Sequence, residues 1–164
     1  FAWGTDALKP VSRSSEEQFG LGGTILDAID TLYLMGLTEE YEQAREWIEK
    51  SLNFEVNRYD QVFETVIRCL GGLLSAYALT DDPMFLNKAT DLGYRLLPSM
   101  ETSGTGIPYR DVNLKTGQAR SAGTCLAEVD SLQIEFKYLA AVSHEPRFAA
   151  AANKAMCAVY KNMP

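Results

Sequence analysis

The chain has 164 residues but only three cysteines and one histidine, which argues against two common kinds of site. Cys69, Cys125 and Cys157 form neither a C-x-x-C pair nor a zinc-type cluster. We expect each of them to be a buried, unreactive thiol on an apolar helix face. His144 lies in the turn sequence SHEP, where we expect a solvated residue. Catalysis by a Ser-His-Asp or Cys-His set therefore has no support.

Positive charge is scarce as well. The 15 lysine and arginine residues stand against 22 aspartate and glutamate residues, which gives a net charge of −7. A nucleic-acid partner requires a basic face that replaces phosphate counterions, so we expect no such partner. No segment approaches the ~20 apolar residues that span a bilayer, so the sequence predicts no membrane-crossing helix.

The two ends of the sequence resemble cut ends. The chain begins at Phe1 without an initiator methionine or a signal-type apolar segment. It stops at Pro164, directly after a helical pattern and without a C-terminal cap. We expect this chain to be part of a longer protein, so missing targeting signals indicate nothing about its compartment.

Helical periodicity covers most of the chain, and it repeats in pairs joined by the similar segments MGLTEEYEQA, YALTDDPMFL and AAVSHEPRFA. The first helix of each pair is apolar on nearly all sides, and the second has one polar face. This pattern predicts first helices inside and second helices outside, as in an α/α toroid or a helical solenoid. The predicted pairs are Gly22–Gly36 with Glu39–Leu52, Gln61–Leu79 with Pro83–Leu97, and Cys125–Val142 with Arg147–Asn162.

Two non-helical segments interrupt the helix pairs. Asn53–Asp60 precedes the second inner helix, and Ser99–Gly123 precedes the third. The longer segment has turn signals around its glycines and is predicted to hold a short β-hairpin. A loop of this length in a compact domain is usually functional or disordered, and its apolar residues favour an ordered one.

Charged residues on the apolar inner helices are the candidate functional residues. Glu64 and Arg68 in VFETVIRCLGG are spaced i, i+4, so both lie on one helix face. They are either an ordinary surface ion pair or polar groups directed into a cavity. Their apolar neighbours leave little exposed face and favour the cavity.

Other inner-helix carboxylates belong to the same pattern. Asp27 and Asp30 lie on the first inner helix, where structural roles compete with a functional one. Glu128 and Asp130 lie on the third, and we expect Glu135 there to be a buried structural carboxylate or an ion-pair partner. Carboxylates that converge on one axis raise one another's pKa, which suits the general acid of a glycoside hydrolase.

Five long segments in order along the chain carry a family pattern. Together they resemble the class I α-1,2-mannosidases, which form glycoside hydrolase family 47 and trim high-mannose N-glycans. The segments are AWGTDALKP (Ala2–Pro10), FGLGGTILDAIDTLYLMGL (Phe19–Leu37), VFETVIRCLGGLLSAY (Val62–Tyr77), GTGIPYRDVNLKTG (Gly104–Gly117) and LAEVDSLQIEF (Leu126–Phe136).

The resemblance implies an all-α (α/α)7 barrel, of which residues 1–164 would be about the first three hairpins of an incomplete catalytic domain. It implies inverting, calcium-dependent hydrolysis of terminal α-1,2-linked mannose. By motif position Glu64 is the proton donor, and Arg68 and Glu128 bind substrate. The catalytic base and the main Ca²⁺ ligand have no counterpart in this chain, so no metal-binding residue is assigned here.

The resemblance also implies the setting of the protein. The partners would be high-mannose N-glycans on glycoproteins, and the catalytic domain would be monomeric. It would act in the lumen of the endoplasmic reticulum or Golgi, held by a type II membrane anchor, or be secreted. Two alternatives stay open: a degradation-enhancing mannosidase-like protein of glycoprotein quality control, and a non-catalytic helical-repeat scaffold. We expect this chain alone to be inactive and to expose its apolar inner face.

Overall fold

A computed structural model describes residues 1–121 and 123–162, and these form eight helices and five short strands. The helices are α1 (Gly23–Leu26), α2 (Ile29–Leu34), α3 (Thr38–Lys50), α4 (Val62–Thr80), α5 (Pro83–Glu101), α6 (Leu126–Asp130), α7 (Gln133–Ser143) and α8 (Pro146–Asn162). The strands are β1 (Ala7–Lys9), β2 (Ser14–Glu16), β3 (Tyr59–Gln61), β4 (Asp111–Asn113) and β5 (Ala119–Arg120).

The predicted helix pairs are confirmed, and they form two layers. α4 contacts α1 and α2 on one side and α7 on the other, so the apolar first helices make a continuous inner row. α3 packs on α2, α5 packs on α4 and α7, and α8 packs on α7. Fully buried side chains such as Phe85, Phe136 and Phe148 fill the space between the layers. Burial of this apolar surface is the main favourable contribution to folding.

Each inner helix is interrupted, whereas the sequence predicted continuous helices. The first divides into α1 and α2 at Asp27–Ala28, and the third into α6 and α7 at Ser131–Leu132. α4 is continuous but contains a π-helical segment, Thr65–Leu70, between α-helical ends. π segments are rare and frequently lie at functional sites. All three interruptions lie within a few residues of the charged side chains that interrupt the apolar pattern.

The helix-rich fold also contains two small sheets. β4 and β5 form the hairpin predicted within Ser99–Gly123, and β3 pairs antiparallel with β4 to complete a three-stranded sheet. β1 and β2 form a separate hairpin that the sequence did not predict. Strands of two or three residues are too short to produce a recognisable alternation.

A buried carboxylate holds the segment that leads into α1. Asp6 is 7% exposed, and its two oxygens accept five backbone hydrogen bonds of 2.6–3.2 Å from Gln18, Phe19, Gly20, Leu21 and Gly23. Burial opposes the charge, but the backbone donors more than offset it, so the pKa of Asp6 lies below its ordinary value. The entry to α1 is thereby fixed, and Asp27 follows one turn later.

α4 approaches α1 closely because residue 72 is glycine. A Cβ atom at Gly72 would overlap the backbone carbonyl of Leu26. Backbone cannot move aside as a flexible side chain can, so a larger residue would push the two helices apart. This contact fixes the distance between Asp27 on α1 and the charged residues of α4.

α4 also corrects the expectation that no segment could cross a membrane. This helix has 19 residues, and an 18-residue window of it has a mean hydropathy of 1.4, which suffices for a membrane span by length and composition; no other described helix meets that test. In the structure 44% of this segment is buried, and α1, α2, α5 and α7 pack against it. This is the environment of an inner-layer helix, and α4 also carries the ion-paired Glu64 and Arg68.

The cysteines depart from expectation, whereas the histidine agrees with it. Cys69 is buried, and burial raises the pKa of its thiol, so it is unreactive as predicted. Cys125 and Cys157 are exposed, because one precedes α6 and the other lies on the polar side of α8. His144 is exposed in the turn after α7, in a left-handed conformation with φ of 57°.

Candidate functional site

Glu64 and Arg68 lie on one helix face, as their i, i+4 spacing predicted, and they form an ion pair; Arg68 also contacts Asp27 at the end of α1. Arg68 Nε donates to Glu64 Oε2 at 2.7 Å, and Arg68 Nη1 lies 3.3 Å from Asp27 Oδ2. The side chains of Glu64, Arg68 and Asp27 are 30%, 45% and 43% exposed. The hydrogen bond to Glu64, supported by Asp27, raises the pKa of Arg68. The pair is therefore one part of a solvent-accessible charged group that joins α1 to α4.

The local fold explains why Glu64 occupies its place. β3 ends at Gln61, which caps α4 in an extended conformation, and Glu64 is the third helical residue. The backbone N–H of Val62 donates to the carbonyl of Arg110 at 2.8 Å, so the three-stranded sheet anchors the start of α4. Carboxylates in the first turn also interact favourably with the helix dipole.

Glu128 is likewise the third residue of its helix, α6, but it folds back on the helix start. Its Oε2 accepts from the backbone N–H of Cys125 at 3.2 Å and from Thr124 Oγ1 at 2.9 Å. The first contact completes a capping box with Cys125 as the cap. Its Oε1 accepts from Gln61 Nε2 at 2.7 Å, and Arg110 Nε lies 3.8 Å away. The carboxylate is thus held on both oxygens and is 19% exposed.

The structure brings the candidate residues to one region without placing them in direct contact. Glu64 and Glu128 belong to neighbouring helix starts that are linked through Gln61. A recess of about 10 Å³ lies beside Glu128 and is lined in part by Phe63, Tyr109 and Arg110. That volume holds about one water molecule, so the described residues provide a wall of a sugar site, not a closed pocket.

The remaining inner-helix carboxylates lie apart from this region and have other surroundings. Asp30 Oδ2 accepts from Ser75 Oγ at 2.7 Å, which is the structural role between α2 and α4 that competed in the sequence. Glu135 is half-buried, and burial raises its pKa. Its Oε2 is buried without a hydrogen-bond partner among the described residues, which include no ion pair to Glu135. Of the two expected roles for Glu135, these surroundings agree with a buried structural carboxylate and not with an ion-pair partner.

The described residues contain no cluster of side chains placed to bind a metal ion. Within residues 1–121 and 123–162, no group of three or more histidine, cysteine, aspartate or glutamate side chains is placed to hold a metal ion. We therefore assign no metal ligand among these residues.

Comparison with known proteins identifies the family. The family model described as glycosyl hydrolase family 47 matches residues 1–163. The chain belongs to glycosyl hydrolase family 47.

Several relatives share this family 47 segment. The human endoplasmic reticulum mannosyl-oligosaccharide 1,2-alpha-mannosidase is 49% identical over 94% of the chain, and a mannosyl-oligosaccharide 1,2-alpha-mannosidase from Arabidopsis thaliana is 43% identical over all of it. The solved alpha-1,2-mannosidase from Trichoderma reesei superposes with a TM-score of 0.84 at 32% identity over 94% of the chain. The family 47 chain spans 22%, 30% and 36% of the lengths of these three proteins, respectively.

Several contacts of the candidate site are not evident from the sequence. Thr124 donates to Glu128 from within the same helix start. The hydrogen bond from Gln61 and the ion-pair contact with Arg110 reach Glu128 from 67 and 18 positions away, and such distances along the chain leave no spacing signal. Asp60 was also missed. It is 3% exposed, its Oδ1 accepts from Arg58 Nε at 2.7 Å, and its Oδ2 has no partner among the described residues. Burial raises the pKa of Asp60 to about 6.

Proposed function

We propose that the complete protein hydrolyses terminal α-1,2-linked mannose from high-mannose N-glycans. The observation that carries this proposal is the placement of Glu64 and Arg68 at the solvent-accessible start of an otherwise apolar inner helix, beside the anchored Glu128. Relatives that are 43–49% identical are named mannosyl-oligosaccharide 1,2-alpha-mannosidases, which supplies the substrate class.

Glu64 acts in this proposal as the general acid. A protonated Glu64 donates its proton to the glycosidic oxygen as the bond between that oxygen and the anomeric carbon breaks. A water molecule attacks the opposite face of the sugar, activated by a carboxylate outside this chain, and the product is inverted. Arg68 now donates to Glu64 and would turn toward sugar hydroxyl groups when the substrate binds. Glu128 accepts hydrogen bonds from the sugar.

The setting of the enzyme is part of the same proposal. The three helix pairs would be the first part of an (α/α)7 barrel, in a monomeric catalytic domain. The name of the human relative places that protein in the endoplasmic reticulum, which supports a site of action in the secretory pathway. Membrane attachment by a type II anchor is the expected arrangement. Calcium is proposed for the complete protein only, with ligands from outside residues 1–164, and no step above depends on it.

The test is mannose release from a high-mannose N-glycan by the complete protein, for the wild type and Glu64→Gln, with and without EDTA. We expect the substitution to lower kcat at least about 100-fold, since general acid catalysis contributes roughly 10²–10⁴-fold. Glu49→Gln is a matched control, because Glu49 forms an exposed i, i+4 pair with Arg45 on α3. EDTA should abolish release if the calcium proposal holds.

Other outcomes would replace parts of the proposal. Full activity in Glu64→Gln would remove the acid assignment. A wild type that binds the glycan without cleaving it would favour the quality-control alternative. A wild type that neither binds nor cleaves the glycan would favour the alternative of a non-catalytic helical-repeat scaffold.

A further inference from the structure

Gln61 stands at the junction of three elements. It is the last residue of β3, it pairs with Asp111 on β4, and it caps α4. Its carbonyl oxygen accepts from Thr65 Oγ1 at 2.9 Å, so its backbone is held by the sheet and by the first turn of the helix. The side chain therefore starts from a fixed position three residues before Glu64.

The side chain of Gln61 reaches across to the other candidate helix start. Its Nε2 donates to Glu128 Oε1 at 2.7 Å, although the two residues are 67 positions apart. The two donors to Glu128 Oε2, Thr124 and Cys125, belong to the same helix start as Glu128 itself. They orient the carboxylate relative to α6 only.

The hydrogen bond from Gln61 is therefore what fixes Glu128 relative to α4. Arg110 Nε is the other group near Oε1, but at 3.8 Å it is an ion-pair contact without the direction of a hydrogen bond. A glutamine amide donates a directed hydrogen bond and adds no charge between Glu64 and Glu128.

We propose that Gln61 is a positioning residue for the sugar-binding wall: its side-chain amide holds the Glu128 carboxylate at a fixed place relative to Glu64. This inference rests on the proposed function. Gln61 itself contacts neither the scissile bond nor the attacking water; it acts through Glu128.

Two substitutions of similar size separate a donor role from simple packing. Gln61→Met keeps the volume and removes the donor. Loss of a hydrogen bond to a charged group should raise KM for the glycan about tenfold, with kcat within about twofold, since a binding contact is lost. Gln61→Glu replaces the donor by a second carboxylate, so KM should rise further at neutral pH.

Lowering the pH should then partly rescue Gln61→Glu relative to Gln61→Met. Two carboxylates at hydrogen-bond distance share one proton, and the protonated carboxyl introduced at position 61 donates where the amide did. A merely structural role for Gln61 would not produce this difference between the two pH profiles. Gln118→Met is the matched control, because Gln118 lies beside the same sheet and contacts Tyr59 instead of Glu128.

Each outcome either supports or contradicts the positioning role of Gln61. A Gln61→Met variant with the KM of the wild type overturns this inference and leaves the proposed function intact. The same holds if both Gln61 variants change KM alike at every pH, or if Gln118→Met raises KM as much. If the wild type binds the glycan without cleaving it, dissociation constants replace KM with the same expectations. A wild type that neither binds nor cleaves overturns both proposals.

Discussion

Glu64 and Glu128 occupy equivalent helix positions but have different environments. Each is the third residue of an inner-layer helix, after an extended capping residue. Glu128 folds back onto its own helix start, where three hydrogen-bond donors hold its two oxygens and Arg110 adds an ion-pair contact. Among the described residues, Glu64 has only Arg68 as a hydrogen-bond donor, and that donor lies one turn further along the helix.

The difference separates two chemical roles that a carboxylate can have. A carboxylate held on both oxygens keeps its orientation, which suits a residue that accepts hydrogen bonds from a substrate. A carboxylate with a single, half-exposed partner can exchange that partner for a group of the substrate. The proposed function assigns the fixed position at 128 to a hydrogen-bond acceptor and the freer position at 64 to the proton donor.

Replacing each of the two glutamates by glutamine should produce the largest effects. Glu64→Gln should lower kcat at least about 100-fold and change KM little, because the lost interaction occurs in the transition state. Glu128→Gln should raise KM about tenfold with a smaller change in kcat, because a binding contact is weakened. Steady-state kinetics of both variants at one pH measures the two effects.

The opposite distribution of the kcat and KM effects would contradict the roles proposed for Glu64 and Glu128. If Glu128→Gln lowers kcat as strongly as Glu64→Gln does, both residues act in the chemical step. Thermal unfolding of both variants serves as the control, and similar midpoints show that the kinetic changes are not the result of misfolding.

Asp60 adds a third environment to the comparison, a carboxylate that is buried without full hydrogen bonding. Its folded pKa of about 6 is above the ordinary value of 3.8, so its protonated form is favoured in the folded state. The associated stability is fully present below pH 3.8 and is lost as pH rises through 6. Asp60→Asn should therefore raise the free energy of unfolding at pH 7.5 by about 1–3 kcal/mol and have little effect near pH 4.

Chemical denaturation of the complete protein at the two pH values measures this effect. Asp91→Asn is the control, because Asp91 is exposed and should show no comparable pH dependence. A loss of stability in Asp60→Asn at pH 7.5 would show instead that the ion pair with Arg58 outweighs the cost of burial.

Cys125→Ser should have the smallest effect. The Cys125 side chain accepts from the backbone N–H of Glu128, and serine is a preferred residue at this capping position. We expect stability to rise by about 0.5 kcal/mol and activity to stay within about twofold. Thermal unfolding and mannose release measure both quantities, with the exposed Cys157→Ser as the control. A large loss of activity would show that the thiol has a role beyond capping.

The sequence predicted the parts of the fold that depend on local pattern. The alternation of apolar and amphipathic helices gave α3, α5 and α8 as outer helices and located α4. It could not give the π segment of α4, because one wide turn scarcely alters the apolar periodicity. Nor could it give β3, whose three residues are strand only because β4 lies beside them.

In the site too, local pattern predicted some features, and others depend on contacts between distant residues. Glu64 and Arg68 share a helix face, as their spacing alone predicted. Asp27 and Gln61 join the site through contacts with residues 41 and 67 positions away. Such contacts depend on how helices pack, and Gly72 illustrates this, since its missing side chain decides how near α1 can come.

The π segment of α4 also determines which directions the side chains beyond it face, relative to those before it. Within the π segment Arg68 contacts Asp27 at the end of α1, and beyond the segment Gly72 lies against the backbone of Leu26. A regular α-helix turns about 100° per residue, so loss of one residue from the wide turn would rotate one end by about that angle. Sequence change can therefore replace side chains within this turn more readily than it can alter the number of residues in it.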